Sequence, residues 1–183
     1  MAVSKLVVVC GIVAGMLFYF ATTREIFTIK NEMFVAREAS EVYQLISDLR
    51  NHAKYHSLVP KEIELLRTKI HDSGLEERLF KIKEYVPLPL FGYNVSVNFD
   101  ALAKLTKPNE ELVVDIQVDM IGGLTGASVW TFVPSSIGDL HGTLITEEFS
   151  LHCLRVTCGF IQQKAVVSHE ELFQKLKEDL ESS

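Results

Sequence analysis

The sequence predicts an α+β domain. It consists of a curved antiparallel sheet of about seven strands wrapped on one long C-terminal helix, with a transmembrane helix in front. Three observations carry that expectation. An uncharged run opens the chain at residues 6–21. Between residues 62 and 156, segments of strand-like alternation follow one another with only turn residues between them, which favours hairpins over βαβ crossovers. Residues 160–181 then switch to a helical period. The chain has 183 residues, enough for one domain and a short appendage. Its 48% hydrophobic and 23% charged residues exclude a disordered or coiled-coil protein, and three cysteines exclude a disulfide-dense scaffold. A net charge of −6 argues against a nucleic-acid partner.

The opening run, LVVVCGIVAGMLFYFA, is 16 residues long, near the short end of the about 17–25 residues that cross a bilayer. A cleaved signal peptide is the rival reading. Cleavage after Ala21 would put bulky Tyr19 at the −3 position, and the run exceeds the usual signal core, so an uncleaved anchor is favoured over a cleaved signal or a buried helix. The division is therefore an anchor at 1–23 and a domain at 24–183. Lys and Arg are nearly balanced on the two sides, so the positive-inside rule barely separates the orientations. Net charge tilts the reading toward a single-pass membrane protein with a lumenal or extracellular domain. The domain is acidic, so charge alone does not draw it to anionic lipid.

Residues 25–36, rich in Phe, Ile, Thr and Val, read as the first strand. Residues 38–49 carry Val42, Leu45, Ile46 and Leu49 at helical spacing, and Asn51 is expected to cap a second short helix that ends before Pro60. Strands are expected at 62–70 and 76–86, the second interrupted by Pro87 and Pro89. In 93–104, Tyr93, Val95, Val97, Phe99, Ala101 and Ala103 share one face, opposite Asn94, Ser96, Asn98 and Asp100. Leu112, Val114, Ile116, Val118 and Met120 alternate in the next strand. A sixth strand at 127–133 is expected to stop at Pro134, residues 135–142 read as a turn, and 143–156 form the seventh strand. In the final helix Ile161, Ala165, Leu172, Phe173, Leu176 and Leu180 fall mostly on one stripe, with a capping-box pattern at 168–171 that allows a restart near Ser168. If the sheet curls away from that helix, the gap between them is an apolar cavity.

This order resembles the START-like, helix-grip (SRPBCC) superfamily, nearest to coenzyme Q-binding and polyketide cyclase or lipid-transport members. The resemblance covers about residues 26–182. It rests on ASEVYQLISDLRNHAKYHSLV at 39–59, on GASVWTFVP at 126–134, and on the Gly142-Thr143 turn. It implies a pocket for a lipid, sterol, isoprenoid quinone or polyketide. The expected function is membrane-anchored binding or transport of such a molecule, with a cyclase- or dehydratase-like enzyme as the alternative. The candidate lining is Val95, Val97, Phe99, Val114, Ile116, Val118, Trp130, Glu147, Phe149, Phe173, Leu176 and Leu180.

Other features carry less. Either Glu147 or Glu148 must face inward in a strand, and Glu147 shares parity with Ile145, Phe149, Leu151 and Cys153. A carboxylate there is either a pocket acid or base with a raised pKa, or, more simply, a rim residue or one paired with Lys or Arg. His52 and His56 stand at i, i+4, but no third ligand is placed by the sequence, so they read as surface or half-buried histidines rather than a zinc site. No catalytic constellation, metal site or cofactor is expected. Cys153 and Cys158 either bridge or stay reduced, and Asn94-Val95-Ser96 is a glycosylation sequon on a polar strand face.

Overall fold

In the computed structural model, the described residues are Tyr19, 22–55, 60–88, 93–118 and 123–182, with backbone alone described for 60–61, 86–88 and 93–95. Their order is β1 (Arg24–Val35), α1 (Ala39–Ser47), a 3-10 helix (Leu49–Lys54), β2 (Pro60–Ile70), β3 (Glu76–Leu88), β4 (Tyr93–Lys107), β5 (Glu111–Val118), β6 (Leu124–Ile137), β7 (Leu140–Leu154) and α2 (Arg155–Ser182). The strands form one sheet in the order β1-β7-β6-β5-β4-β3-β2, antiparallel throughout. Seven curved strands and a long C-terminal helix are the expected architecture. The opening run lies outside the described residues apart from Tyr19, and among the described residues no helix is long and apolar enough to cross a membrane.

Alternation decides which side chains meet α2. The inward set is Phe27, Ile29, Met33 and Val35 on β1, Phe80 and Ile82 on β3, Ala101, Ala103 and Leu105 on β4, and Leu112 and Val114 on β5. Trp130 and Phe132 on β6 and Ile145, Phe149 and Leu151 on β7 complete it. The second half of α2 lays Leu172, Phe173, Leu176 and Leu180 on this face, and α1 adds Val42, Tyr43 and Ile46. A smaller cluster of Phe27, Ile29, Leu124, Phe149, Leu151, Cys153 and Cys158 sits beneath the first half of α2. Two glycines are there for want of space. A Cβ on Gly126 would meet Leu151 Cδ1 at 2.6 Å and Ser150 O at 2.7 Å, and one on Gly142 would strike the Val35 carbonyl.

Several boundaries differ from expectation, and the reasons are local. The cap of the 3-10 helix is Asp48, whose carboxylate accepts from Arg50 N at 3.1 Å. Asn51 instead donates to the Leu45 carbonyl at 2.9 Å, closing the end of α1. Pro60 opens β2 rather than ending a helix. Pro87 does not interrupt β3, and Pro134 does not stop β6. The β2 partner of β3 begins at the Pro60–Glu84 pair, and the β5 partner of β6 ends at the Glu111–Thr131 pair. Each proline therefore stands where its strand keeps one neighbour, and a missing N–H is tolerated there. Residues 135–142 are not a long turn. The β6–β7 ladder continues to Ile137–Leu140 and turns through Gly138 (φ 61°) and Asp139. Finally, α2 begins at Arg155, directly after the last residue of β7, and runs unbroken through Ser168, which is buried inside it instead of capping a new helix.

Candidate functional site

Three strands and α2 bring polar side chains together on the otherwise apolar inner face. Glu147, in the middle of β7, is 2% exposed. Its neighbour Glu148 points outward and pairs with Lys30 at 2.8 Å. Asn31 on β1 is the cross-strand partner of Glu147, and Ser128 on β6 lies one inward position from Trp130, whose own partner is Glu147. Glu147 Oε2 accepts from Asn31 Nδ2 at 3.2 Å and from His169 Nδ1 of α2 at 2.8 Å, while Oε1 accepts from Ser128 Oγ at 2.7 Å. The His169 ring tilts against Phe149 with centroids 4.5 Å apart.

Burial by itself pushes the Glu147 carboxyl up. The charge and hydrogen bond of His169, with the donations from Ser128 and Asn31, outweigh it and hold the carboxyl below its ordinary value. Glu147 is therefore an acceptor-only carboxylate at neutral pH, so His169 Nδ1 must carry the shared proton. This fixes the ring. His52 adds a second imidazole. It is half-buried, bonds the Ile46 carbonyl at 2.8 Å and meets the edge of Trp130 at 5.9 Å, and burial lowers its pKa.

A second part of the inner face is accessible. Glu84 on β3, Val97 and Phe99 on β4, and Ile116 and Val118 on β5 all have inward parity, yet each is only half-buried. They are contiguous: Glu84 pairs with Val97, Ile82 with Phe99, and Phe99 with Val118. Solvent thus reaches an apolar surface between sheet and helix, with one carboxyl on it. Burial raises the Glu84 carboxyl to about 7, against a smaller opposing pull from His169. The two glutamates are driven apart by their surroundings, Glu147 downward and Glu84 upward.

The expected pocket residues therefore separate. Val97, Phe99, Ile116 and Val118 lie on the accessible patch, with the buried Glu147 and Phe149 beside His169. Val114, Trp130, Phe173, Leu176 and Leu180 belong to the large core cluster, where Trp130 stacks on Phe173 with centroids 5.3 Å apart. Near them the crevice between Leu45, Ile46, His52, Tyr55, Leu172 and Leu176 is too tight to admit a water molecule. The side chains of Val95 and Asn94, and all of His56, lie outside what is described. The partner of Glu147 is a histidine, and α2 carries no Lys or Arg between Ala165 and Leu172, the stretch around it. Among the described residues no three metal-ligating side chains cluster. Cys153 and Cys158 are joined in a disulfide between the end of β7 and the first turn of α2.

Sequence reasoning passed over His169, Glu84, Asn31 and Ser128, although a signal was present for each. His169 stands four residues after Ala165 and three before Leu172, on the apolar stripe itself. Glu84 shares parity with Phe80 and Ile82, Asn31 with Ile29 and Met33, and Ser128 with Trp130.

No family model matches the chain, and no curated relative does. Solved structures do. A Thermus thermophilus protein is similar with a TM-score of 0.60 and 16% identity, covering 84% of this chain and 97% of its own. A START superfamily protein from Mycobacterium smegmatis gives 0.58 and 16%, covering 85% and 97%. The di-domain ARO/CYC StfQ of the steffimycin biosynthetic pathway gives 0.56 and 11%, covering 86% of this chain and 52% of that one. At these identities the likeness is one of fold, and the fold is START-like.

Proposed function

We propose that this protein is a membrane-tethered binder or carrier of a hydrophobic small molecule, of the lipid, sterol or isoprenoid-quinone kind. The molecule would be held between the sheet and α2. The observation that carries the reading is the accessible inward patch of Val97, Phe99, Ile116 and Val118 beside the buried Asn31–Ser128–Glu147–His169 cluster. Apolar area on that patch gains about 25 cal/mol per Å² when a ligand removes it from water. The cluster and Glu84 offer partners to a polar head. Structures of the same fold include a START superfamily protein and an ARO/CYC protein, which supports an interior that receives apolar molecules.

Two observations support the tether. The uncharged run 6–21 leads into Thr23, whose carbonyl accepts from Arg155 N at 2.8 Å, so the run would enter at the root of α2. By the antiparallel register, β2, β4 and β6 begin and β3 and β5 end at that same end, and the sequence between those elements carries Leu58, Val59, Leu90, Phe91, Met120 and Ile121. At the opposite end Asp72-Ser73-Gly74 and Pro108-Asn109-Glu110 are polar, while the β6–β7 turn exposes Ile137 and Leu140. The apolar sequence beside the run suits a domain that lies with that end against a bilayer.

The test is solvent extraction and mass spectrometry of the full-length protein purified from its producing cells. A stoichiometric hydrophobic molecule is expected, and Ile116→Trp with Val118→Trp should displace it while the fold survives. Undiminished binding in that variant, or an empty wild type, overturns the reading. A second reading, a cyclase- or dehydratase-like enzyme, is favoured by the Glu147–His169 pair alone. It requires turnover of the co-purifying molecule that Glu147→Gln abolishes.

A further inference from the structure

We propose that the outer face of the first half of α2 rests on the lipid bilayer that the run 6–21 enters, so that the domain is held at a tilt with the tip of α2 away from the membrane. This rests on the tether in the reading above and adds the surface that meets the lipid. The face is built at helical spacing. Val156, Phe160, Gln163 and Val167 follow one another at i, i+4, i+7 and i+11 on the solvent side, while Cys158, Ile161 and Ala165 turn toward the sheet. Val156 is 66% exposed, Phe160 39% and Val167 47%.

Charge is divided along the same helix. Residues 155–169 contain Arg155 and Lys164 and no Asp or Glu, in a chain that is acidic as a whole. Residues 170–181 contain Glu170, Glu171, Glu178, Asp179 and Glu181 against Lys175 and Lys177. A carboxylate pressed into a headgroup layer loses hydration and meets phosphate, whereas a lysine lays its stem on the apolar face and reaches phosphate oxygens with its ammonium. Arg155 is paired with Glu25 at 3.1 Å, so Lys164 is the cation on the stripe itself, its Nζ 6.0 Å from the centre of the Phe160 ring.

What covers this face follows from where the chain goes. The uncharged run leads to Thr23, whose carbonyl accepts from the backbone N–H of Arg155, the first residue of α2. Gly123 stands at the same place. A Cβ on it would lie 3.4 Å from Arg24 Nη2, so the sequence 119–122, with Met120 and Ile121, rejoins the sheet beside the start of β1. At a rise of about 1.5 Å per residue, Val156 and Phe160 lie within about 8 Å of that point along α2, and an interfacial helix buries its apolar face about 5–10 Å deep. A run that enters a bilayer ahead of Thr23 therefore brings the stripe into the headgroup layer. Three apolar side chains hold a bilayer weakly alone. A short tether raises their local concentration to the order of mM, so the face orients a domain that the run has already delivered.

The test uses the full-length protein in phosphatidylcholine vesicles, with brominated acyl chains as a contact quencher of tryptophan. Phe160→Trp places a reporter on the stripe. Gln174→Trp places one about 21 Å farther along the same side of α2, in the acidic half. The buried Trp130 gives a background that wild type in the same vesicles measures. After its subtraction, Phe160→Trp emission should fall at least about twofold in brominated vesicles, while Gln174→Trp emission holds. Val156→Trp repeats the measurement one turn earlier and should be quenched as well, which keeps the test open if Phe160→Trp misfolds. Equal quenching at 160 and 174, or quenching at neither, overturns the docking. A blue-shifted but unquenched Phe160→Trp would mean that protein covers the face, either a second copy or the chain's own run, and an unshifted one would mean water. In each of those outcomes, protein that still floats with the vesicles keeps its tether. Protein that fails to float overturns the tether and this surface together, and the hydrophobic-ligand reading then stands or falls on its own extraction test.

Discussion

Placing a carboxylate where solvent barely reaches costs several kcal/mol unless donors surround it, and Glu147 has three. Replacing it by leucine should cost about 3–5 kcal/mol in urea unfolding, because Asn31, Ser128 and His169 would lose their acceptor together. Its depressed folded pKa also sets a sign. The stabilisation is full above the ordinary glutamate value of 4.5 and is lost as pH falls toward the folded value, so Glu147→Gln should flatten the acid limb of the stability curve. Glu84 has the opposite sign. With a folded value of about 7 against 4.5 unfolded, stability is full below 4.5, declines between the two values and stays low above 7. Glu84→Gln should therefore match wild type near pH 4 and exceed it by roughly 3 kcal/mol at pH 8. An equal pH profile for the two proteins would show that Glu84 is fully solvated. Parity alone made Glu147 legible in the sequence. Its partner was not, because His169 lies in a segment whose Ser-His-Glu-Glu pattern reads equally well as a helix start, and only the packing of α2 chooses between them.

At the scale of elements, the inner face divides into a closed half and an open half, and the cost of truncation should follow. Leu176→Ala sits in the closed half and should lose about 2–5 kcal/mol. Ile116→Ala, half-buried on the open patch, should lose clearly less, and paired denaturant melts compare them directly. If both cost the same, the patch is packed core. Phe173→Ala belongs with Leu176, since Phe173 is buried and stacks on Trp130. Strand existence was readable everywhere from alternation, whereas strand ends were not. Pro87 and Pro134 are breakers in a lone sequence, and only the sheet order reveals that a neighbouring strand has already run out beside each. The onset of α2 was hidden for a related reason. Residues 155–159 (Arg-Val-Thr-Cys-Gly) carry poor helix formers, and the first turn is held by the Cys153–Cys158 bridge and the Thr23–Arg155 hydrogen bond instead of by propensity.

For the whole molecule, an anchored chain should pellet with membranes and resist carbonate extraction, and native N-terminal sequencing should begin ahead of residue 6. Sequence beginning near Thr22 would mean a cleaved signal. Nonreducing peptide mapping should recover Cys153 linked to Cys158. The mechanics of α2 have a consequence for traffic. The helix is clamped at its root, where it leaves β7 without a spacer and is tied to Thr23. It is clamped again at its tip, where Arg37 grips the Leu180 carbonyl and Tyr55 bonds Asp179. A beam fixed at both supports cannot swing like a door. On the proposed binding reading, a guest would enter beside the end of β5 at Val118 while the beam stays still. Backbone amides along α2 should then exchange with deuterium at the same slow rate in loaded and empty protein, and the difference on loading should fall on β4 and β5.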